Sequence, residues 1–547
     1  MGGARARPRA PPRRVGRTGR AALPRDADAG RCGALVQGHA RDAGAGTGGF
    51  RHLRSAWRLG AALAAGALHA LAFAPSTAWF LQPLALALLV GLLSGQTVRR
   101  AAWLGGAFGL AWLGVGLWWL YISLHDFGGL APPLAVGALL LLGAFLALYP
   151  AAAAAGFVAL RPRVPAAWAP LLWAACWLLS ELARAQWFTG FPWIASGYAH
   201  TVGPGAAWAP WIGVYGLGAL SAAWAAAGAQ AALERRWRAA LALSAAVALG
   251  ALLPQSFTTS TGNLRLSLVQ PNVPQSAKFD PAQIDRNLDA LLAQIEATPA
   301  GVVVTPESVL PLPLAYLPAE AQGRLAEASV TRHLLVGSFL GSDEAGWVNS
   351  LVGWHQGQAQ YDYGKRHLLP FGEFIPPGLG WFVRALGIPM DDQAQGAHQR
   401  PWAVGGQRLR PLICYEDLFG EDFVRSAVDG PEAATVFVNA SNLAWFGRHM
   451  VQDQHLQFSQ MRALEFQRPF VRSTNTGATA HVDHRGQVRA RLEALTAGTL
   501  VVEVEGRSGS TPYARWLAAW GLWPLWGLGL AAVVWAASRR RSTPVAP

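Results

Sequence analysis

Residues 411–417 read Pro411-Leu-Ile-Cys-Tyr-Glu-Asp417. The apolar run predicts a buried strand, and the polar residues after it predict a turn followed by a helix. Cys414 would then stand at the strand end, where the exposed amide groups of that helix favour a thiolate. Cys32 lies in an arginine-rich tail and Cys176 in a long apolar stretch, so neither is an obvious disulfide partner. Cys414 is therefore a candidate nucleophile, with a buried structural cysteine as the alternative.

Further short apolar runs on both sides of this segment also predict strands. Helical patterns at 284–297 and 454–467 lie between some of them, which favours sheets covered by helices over an all-β domain. We expect a water-soluble α/β domain over residues 262–506. The predicted strands are Leu264–Val269, Val302–Thr305, Leu334–Gly337, Ser350–Trp354, Leu409–Ile413, Ala434–Val438, Phe470–Ser473 and Leu500–Val504.

The rest of the chain has the composition of a membrane protein. Hydrophobic residues make up 52% of the sequence and charged residues only 14%, which is unusual for a soluble protein. A bilayer core requires roughly 20 apolar residues per helix, so the uncharged stretches predict about eight transmembrane helices, seven within residues 56–255 and one within 514–541. The predicted spans are two within Leu59–Val98, then Ala101–Leu124, Leu134–Leu160, Val164–Ser180, Ala207–Gln230, Ala239–Leu253 and Trp516–Ala537.

The arginines predict the orientation of these helices. Under an eight-helix count the clusters at 99–100, 161–163, 235–238 and 539–541 all fall on one side of the membrane. Arginine and lysine collect in cytoplasmic loops, so the α/β domain is expected outside the cytoplasm. Counting Trp187–Val202 as a span would move one cluster to the other side, and we therefore interpret that stretch as a loop at the membrane surface.

Most of the net charge of +14 lies at the N-terminus. Residues 1–58 hold thirteen arginines and three aspartates, which accounts for ten of the fourteen charges. The remainder is nearly balanced, so no nucleic-acid partner is expected. Residues 1–55 are predicted to be a disordered basic tail, and a start codon assigned too early is the alternative explanation for this segment.

Lysine usage gives an independent clue to the chemistry. Of 45 basic residues 43 are arginine, and only Lys278 and Lys365 are lysine. A lysine in such a chain suggests that a small, mobile ammonium is required, although both could be surface residues kept by chance. Glu307 follows one predicted strand as Cys414 follows another, with helix capping as its alternative role. A thiol, an ammonium and a carboxylate are sufficient for acyl transfer through a thioester.

The order Glu307, Lys365, Cys414 with its flanking sequences resembles the nitrilase superfamily, whose domains are αββα sandwiches with a Glu-Lys-Cys triad. A polytopic bundle of about eight α-helices with such a domain inserted before the last helix more specifically resembles the apolipoprotein N-acyltransferase family, over about residues 55–541. The local matches are Phe188–Trp193, Val269–Ser276, Lys365–Pro376, Ile413–Glu416, Asn439–Gly447, Met461–Glu465 and Thr511–Arg515.

The resemblance implies a two-step exchange on the periplasmic side of a bacterial inner membrane. Cys414 would take an acyl chain from a phospholipid and pass it to the N-terminal amine of the diacylglyceryl-cysteine of an apolipoprotein. Glu307 would be the general base and acid, and Lys365 would stabilise the oxyanion. The partners are thus a phospholipid donor, a diacylated apolipoprotein acceptor and the lipid bilayer. No cofactor or metal is implied, and we expect a monomer.

Supporting residues follow from the same resemblance. Glu373 would orient the lysine, and Tyr415 and Glu416 would support the nucleophile. Phe279 stands where the family motif commonly has tryptophan, so an aromatic contact with an acyl chain is kept while the indole N–H is lost.

Acyl chains must leave the bilayer without meeting water, so mobile apolar segments are expected near the site. The candidates are the segment 378–389 and the loop that carries Trp445 and Phe446. For each of them an ordinary packed loop is the alternative.

Two other functions stay open on the sequence alone. One is a membrane-tethered nitrilase-type amidase that hydrolyses a carbon–nitrogen bond with water as the acceptor. The other is a lipoprotein-binding or transport module without catalysis, in which replacement of Cys414 would leave function intact.

Overall fold

The computed structural model describes residues 46–278, 280–299, 301–378, 380–381 and 392–540. Residues from Arg54 onward belong to one compact unit. The α-helices before the sheets are α1 (Gly46–Ala70), α2 (Leu81–Leu93), α3 (Val98–Gly116), α4 (Leu120–Ile122), α5 (Pro132–Leu160), α6 (Ala169–Gln186), α7 (Ala209–Glu234) and α8 (Trp237–Leu249). Those within and after the sheets are α9 (Gln275–Lys278), α10 (Ile284–Glu296), α11 (Ala319–Ala328), α12 (Gly420–Phe423), α13 (Val451–Phe466), α14 (Pro512–Trp520) and α15 (Trp523–Ser538).

Within the described residues, three helical stretches are long and apolar enough to cross a membrane on their own. They are Pro132–Arg163, Ala166–Thr189 and Pro204–Glu234. The number rises to five if each of two bent helix pairs is one span. The predicted count of eight is therefore not reproduced by length and composition, because α2 and α8 have only 13 residues each and fall short of the roughly 20 that a bilayer core requires.

Backbone breaks divide the two bent pairs. The predicted span Ala101–Leu124 is a helix to Gly116 followed, after a 67° bend, by Leu120–Phe127. The predicted span Trp516–Ala537 is bent by 83° between α14 and α15. Gly521 lies at φ 56° in that break, a conformation that glycine adopts at little cost. Pro524 then stands in the first turn of α15, where its missing N–H is tolerated.

Two six-stranded sheets form the domain that follows the helices. Their strand orders are β12-β1-β2-β3-β4-β5 and β11-β10-β9-β8-β7-β6. Each sheet has a parallel centre, β1-β2-β3 in the first and β7-β8-β9 in the second, and antiparallel edges. The strands are β1 (Thr258–Gln270), β2 (Val302–Val304), β3 (His333–Ser342), β4 (Gly346–His355), β5 (Gln358–Gly364), β6 (Trp402–Val404), β7 (Gln407–Ile413), β8 (Val436–Ser441), β9 (Phe470–Thr474), β10 (Ala480–Val482), β11 (Val488–Arg491) and β12 (Gly498–Gly509).

The layers are helix, sheet, sheet, helix, as expected for an αββα sandwich. Side chains such as Leu266, Val304 and Val438 are buried between the two sheets. The outer face of the first sheet packs against α10 and α11. The outer face of the second sheet packs against α13 within a larger apolar cluster that continues into the membrane helices. All eight strands predicted from the sequence are present, whereas β5, β6, β10 and β11 were missed.

Polar contacts join α13 to the helical bundle. The Gln454 side chain accepts hydrogen bonds from the indole N–H groups of Trp119 (3.2 Å) and Trp193 (2.8 Å) and donates one to the Gly116 carbonyl (3.2 Å). The Glu465 carboxylate accepts the backbone N–H of Val214 at 2.6 Å. The region 187–201, predicted to be a loop, contains only short 3₁₀ turns.

Candidate active site

Three strand ends bring Glu307, Lys365 and Cys414 to one place. Glu307 comes shortly after β2, Lys365 directly after β5, and Cys414 directly after β7. β2 and β7 are both interior strands of their sheets, and their carboxyl ends present Glu307 and Cys414 at one edge of the sandwich. Loops at the carboxyl ends of parallel strands are a common location for active sites.

Lys365 is the centre of a buried charge cluster. Its Nζ lies 2.6 Å from Glu373 Oε1 and 3.4 Å from Glu307 Oε1, and only 1% of its side chain is exposed. Burial opposes the charge of the ammonium, yet Glu373 and Glu307 raise the pKa of Lys365 above its ordinary value. The lysine is therefore a permanent cation, and Glu373 is its closer partner.

Glu307 is held by donors on both of its carboxylate oxygens. Oε1 accepts a hydrogen bond from the Asn349 side chain at 2.8 Å, and Oε2 accepts the backbone N–H of Asn442 at 2.9 Å. Neither asparagine had been assigned a role from the sequence, although Asn442 lies in the quoted motif Asn439–Gly447. The side chain of Asn439 in turn donates to the Cys414 carbonyl at 3.0 Å.

The surroundings of Cys414 favour a protonated thiol rather than the predicted thiolate. Burial raises its pKa and Glu307 adds to the effect, while the ammonium of Lys365 lowers it only in part, so the pKa lies well above the usual range. The sequence had predicted a thiolate at a helix N-terminus. That expectation was wrong because Cys414 begins a single 3₁₀ turn, Cys414–Leu418, and because it faces a carboxylate. A base is consequently needed to take the proton.

Glu416 fixes the turn that carries the cysteine. It is 4% exposed, and its carboxylate accepts four hydrogen bonds from three chain segments. The donors are the Tyr363 hydroxyl (2.6 Å) and the backbone N–H groups of Ile413 (2.7 Å), Arg366 (2.8 Å) and His367 (3.2 Å). One carboxylate thus ties the strand end before Cys414 to the segment after Lys365. Cys414 itself has φ 50°, an uncommon conformation for a residue other than glycine.

The other predicted site residues take different places. Tyr415 is buried and its hydroxyl donates to the Gly190 carbonyl at 3.1 Å, so it faces the membrane bundle rather than Lys365. Trp445 is 38% exposed and its ring lies against Phe127. Phe279 lies outside the described residues, as does most of the predicted lid segment 378–389.

Lys278, the second lysine, also lies beside the site. It is 5% exposed, and its Nζ donates to the Ser308 hydroxyl at 2.8 Å. Lys278 and Glu307 line the same small cavity. Burial lowers the pKa of Lys278 to about 8, although Glu307 acts in the opposite direction. Both lysines of this arginine-rich chain are therefore buried near Glu307.

The ionisation of Cys414 gives a first prediction. In a chain carrying Cys32→Ser and Cys176→Ala, alkylation of Cys414 by iodoacetamide should be slow near neutral pH and still rising at pH 9, the ordinary pKa of the thiol. Lys365→Met should slow alkylation further, because the ammonium lowers the thiol pKa. A rate that levels off near neutral pH would reveal a resting thiolate and contradict this account.

The four hydrogen bonds of Glu416 give a second prediction. In Glu416→Gln the single amide oxygen can accept at most two of them, so two buried donors lose their partner at roughly 1–3 kcal/mol each. We expect a lower melting temperature in detergent and loss of Cys414 reactivity toward its substrate. The control is Asp289→Asn, whose side chain is 74% exposed. Equal melting temperatures and activities for the two variants would refute the assigned role.

Known protein families match both the helical part and the sandwich of this chain. Residues 65–227 match the family described as the N-terminal domain of apolipoprotein N-acyltransferase, and residues 265–513 match the carbon-nitrogen hydrolase family. The chain is 43% identical to an apolipoprotein N-acyltransferase of Ralstonia nicotianae, with 88% of this chain and 94% of that protein covered.

Further relatives bear the same name. Identity is again 43% with the protein of Verminephrobacter eiseniae, with 85% of this chain and 94% of that protein covered. It is 39% with that of Nitrosomonas europaea, with 85% and 94% covered. These similarities extend over the helical bundle and the nitrilase-like sandwich alike, so the chain belongs to the apolipoprotein N-acyltransferase family.

Proposed function

We propose that this protein transfers an acyl chain from a phospholipid, through a thioester on Cys414, to the N-terminal amine of a diacylated apolipoprotein. The observation that carries the proposal is the buried cluster of Lys365, Glu307 and Glu373, which lies close enough to Cys414 to shift the pKa of its thiol. The family to which the chain belongs supplies the substrates.

The roles of Glu307 and Glu373 follow from the distances of their carboxylates to the ammonium of Lys365. Glu373 lies 0.8 Å closer to the ammonium of Lys365 than Glu307 does, and so provides its main neutralisation. Glu307 is then left to act as general base toward a thiol that stays protonated at rest. Lys365 keeps its charge throughout and can stabilise a negative oxygen that forms beside it.

In the first step Glu307 takes the proton of Cys414, and the sulfur attacks the carbonyl carbon of a phospholipid ester. The C–S bond forms, the oxyanion develops near Lys365, and the C–O bond then breaks. The leaving alkoxide takes the proton back from Glu307 and departs as a lysophospholipid. The enzyme is left with an S-acyl cysteine and an ionised Glu307, and no cofactor is required.

In the second step the neutral amine of the acceptor attacks the thioester carbon while Glu307 accepts one of its protons. The C–N bond forms and the C–S bond breaks. The proton returns from Glu307 to the sulfur, which restores the thiol of Cys414. The same three side chains therefore serve both halves of the exchange.

Exposed aromatic residues near the site fit lipid substrates. Phe371, in the segment between Lys365 and Glu373, is 47% exposed. Phe188, two residues before the carbonyl that binds Tyr415, is 76% exposed, and Trp445 is 38% exposed. Solvent-exposed aromatic side chains on loops between a bundle and a catalytic domain are suited to contact the bilayer surface. We propose that these loops form the route for the acyl chain.

We propose eight membrane crossings with the sandwich in the periplasm, and two contacts of the arginine cluster at 161–163 support the side assigned to three helix ends. Arg163 donates to the carbonyl of Ala537 at 2.7 Å, and Arg161 lies 4.0 Å from Glu234. The connections after α5 and α7 and the end of α15 are thus gathered at one face of the bundle. Because arginines favour the cytoplasm, this face is the cytoplasmic one in our proposal, and the protein resides in the inner membrane.

The same proposal divides the chain into four parts. Residues 1–55 form a basic tail, and 56–255 form the membrane domain with seven helices. Residues 262–506 form the catalytic domain, and 514–541 contain the last membrane helix. We propose that it acts as a monomer, since all three catalytic side chains come from one chain.

Intact-protein mass spectrometry tests the catalytic proposal. After incubation with a phospholipid, the protein should gain the mass of one acyl chain on Cys414, and a lipopeptide acceptor with a free amine should remove it. Cys414→Ser should carry no thioester, and Glu307→Gln and Lys365→Met should acylate at least about a hundredfold more slowly, as expected for loss of a base or an oxyanion partner. Arg324→Gln, on a surface ion pair, is the control.

Two results would favour the other functions. Release of free fatty acid or ammonia without dependence on an amine would indicate an amidase that uses water. Full function of Cys414→Ser in lipoprotein maturation would indicate a binding or transport module.

Labelling of engineered cysteines tests the orientation. In a chain with its native cysteines replaced, Ser260→Cys on β1 should react with a membrane-impermeant maleimide in intact spheroplasts. Arg236→Cys, whose native side chain is 58% exposed, should react only after permeabilisation. The reverse pattern would place the catalytic domain in the cytoplasm and overturn the proposed localisation.

A further inference from the structure

A buried arginine at the end of α6 fastens the loop that follows it. Arg184 Nη1 donates to the carbonyl oxygens of Phe191 (2.8 Å) and Trp193 (2.9 Å). The backbone N–H of Phe191 donates in return to the Arg184 carbonyl at 2.8 Å. Only 1% of the arginine side chain is exposed. The loop therefore leaves the helix in a geometry set by this guanidinium.

A buried carboxylate three residues earlier fastens the far end of the same loop. Glu181 Oε1 accepts the backbone N–H of Ser196 at 2.6 Å and lies 3.9 Å from the Arg184 guanidinium. The helix α7 approaches closely here, since a Cβ on Gly218 would stand 2.5 Å from Glu181 Oε2. The two charged side chains thus hold the loop between residues 191 and 196 from both ends.

Stability alone does not account for this pair. Taking two charges out of water costs several kcal/mol each, and the mutual attraction of a buried pair often fails to offset that cost. Among the described residues, Arg184 Nη2 and Glu181 Oε2 have no hydrogen-bond partner, so the pair is also incompletely satisfied. A hydrophobic pair in the same positions would bury no charge, but it would leave the carbonyls of Phe191 and Trp193 and the N–H of Ser196 without these partners, so the role of the pair is to hold the loop.

The loop held by this pair contacts one residue close to Cys414 in the sequence and one close to Lys365. The Gly190 carbonyl accepts the hydroxyl of Tyr415 at 3.1 Å, and Tyr415 is the residue after Cys414. The preceding carbonyl, that of Thr189, lies 3.3 Å from Nε2 of His367, two residues after Lys365. Two consecutive carbonyls of a membrane-domain loop therefore contact the neighbours of the nucleophile and of the lysine.

The position of these carbonyls has little freedom. Gly190 has φ 81°, and a Cβ there would stand 2.0 Å from the Ala185 carbonyl oxygen. The loop thus lies directly against the last turn of α6, the turn from which Arg184 projects. A shift of the arginine contacts would be transmitted to Gly190 and from there to Tyr415.

We propose that Glu181 and Arg184 are positioning residues for acyl transfer, which hold the loop 187–196 so that its carbonyls fix the side chains next to Cys414 and Lys365. The buried ion pair acts through the loop and touches no substrate. This inference rests on the proposed function for the reaction that is measured, and it adds that the membrane domain sets the geometry of the nucleophile.

A double-mutant cycle on the rate of Cys414 acylation tests the coupling. Arg184→Gln and Tyr415→Phe should each slow acylation at least about tenfold, because sub-ångström misplacement of a nucleophile is costly. If both act through the Gly190 contact, the double variant should be no more than about twofold slower than the slower single variant. Their effects on the melting temperature in detergent should be additive, since the lost packing contacts differ.

Conservative variants keep the test decisive if Arg184→Gln fails to fold. Arg184→Lys retains the charge but places it on a shorter and more flexible side chain without the planar guanidinium, and Glu181→Gln retains an oxygen acceptor for Ser196. Each should keep most of the melting temperature, lower kcat more than it raises KM, and show the same coupling to Tyr415→Phe. Arg161→Gln, at a surface pair with Glu234, should match the wild-type rate.

The contrary results are distinct. Rate effects of Arg184 and Tyr415 variants that multiply, or a normal acylation rate in folded Arg184 variants, would overturn the inference. Absence of any thioester in the wild-type protein would instead overturn the proposed function, so the two failures are separable.

Discussion

A buried ammonium shared by two carboxylates is the constraint on which this site depends. Lys365 can remain charged away from water only because Glu373 and Glu307 lie within 3.4 Å of it. Burial raises the pKa of the neighbouring thiol, and the carboxylate of Glu307 adds to the effect. In the proposed mechanism the thiol of Cys414 therefore stays protonated at rest, and removal of its proton is part of the reaction.

Contacts from both the sandwich and the helical bundle hold the turns around this cluster. The strand ends that meet at the cluster need their turns held in unusual conformations, such as φ 50° at Cys414. Within the sandwich the Glu416 carboxylate accepts four hydrogen bonds. From the bundle the Gly190 carbonyl accepts a hydrogen bond from the hydroxyl of Tyr415. The side chain of Gln454 on α13 accepts hydrogen bonds from two tryptophans of the membrane domain and so joins the two parts.

Apolar runs in the sequence predicted eight of the described strands but missed four strands at or next to the edges of the sheets. The buried central strands of both sheets were readable from apolar runs such as Val302–Thr305 and Leu409–Ile413. By contrast β5 and β11 are polar, partly exposed strands without such a run. Among the described residues the eight predicted membrane helices do not all appear as long apolar helices, because an uncharged stretch predicts apolarity, whereas helix length depends on where the backbone breaks, and α2 and α8 have only 13 residues each.

For the site, position after a predicted strand was enough to propose Glu307 and Cys414, and the rarity of lysine in this chain was enough to propose Lys365. The state of the thiol was not predictable, because it depends on how close Glu307 comes once the chain is folded. The contacts of Asn349, of Asn442 and of the carbonyls of the loop 187–196 could not be predicted for a related reason. Amide and backbone groups gain a role only through the partner that the tertiary structure brings to them.

The first and the last strand of the sandwich are neighbours in the first sheet. The strands β1 and β12 run antiparallel from Thr258 paired with Gly509, so the polypeptide enters and leaves the sandwich at adjacent points, about 5 Å apart as for any neighbouring strands. A module with such ends can be transplanted into a single loop of a host protein without respacing the helices on either side.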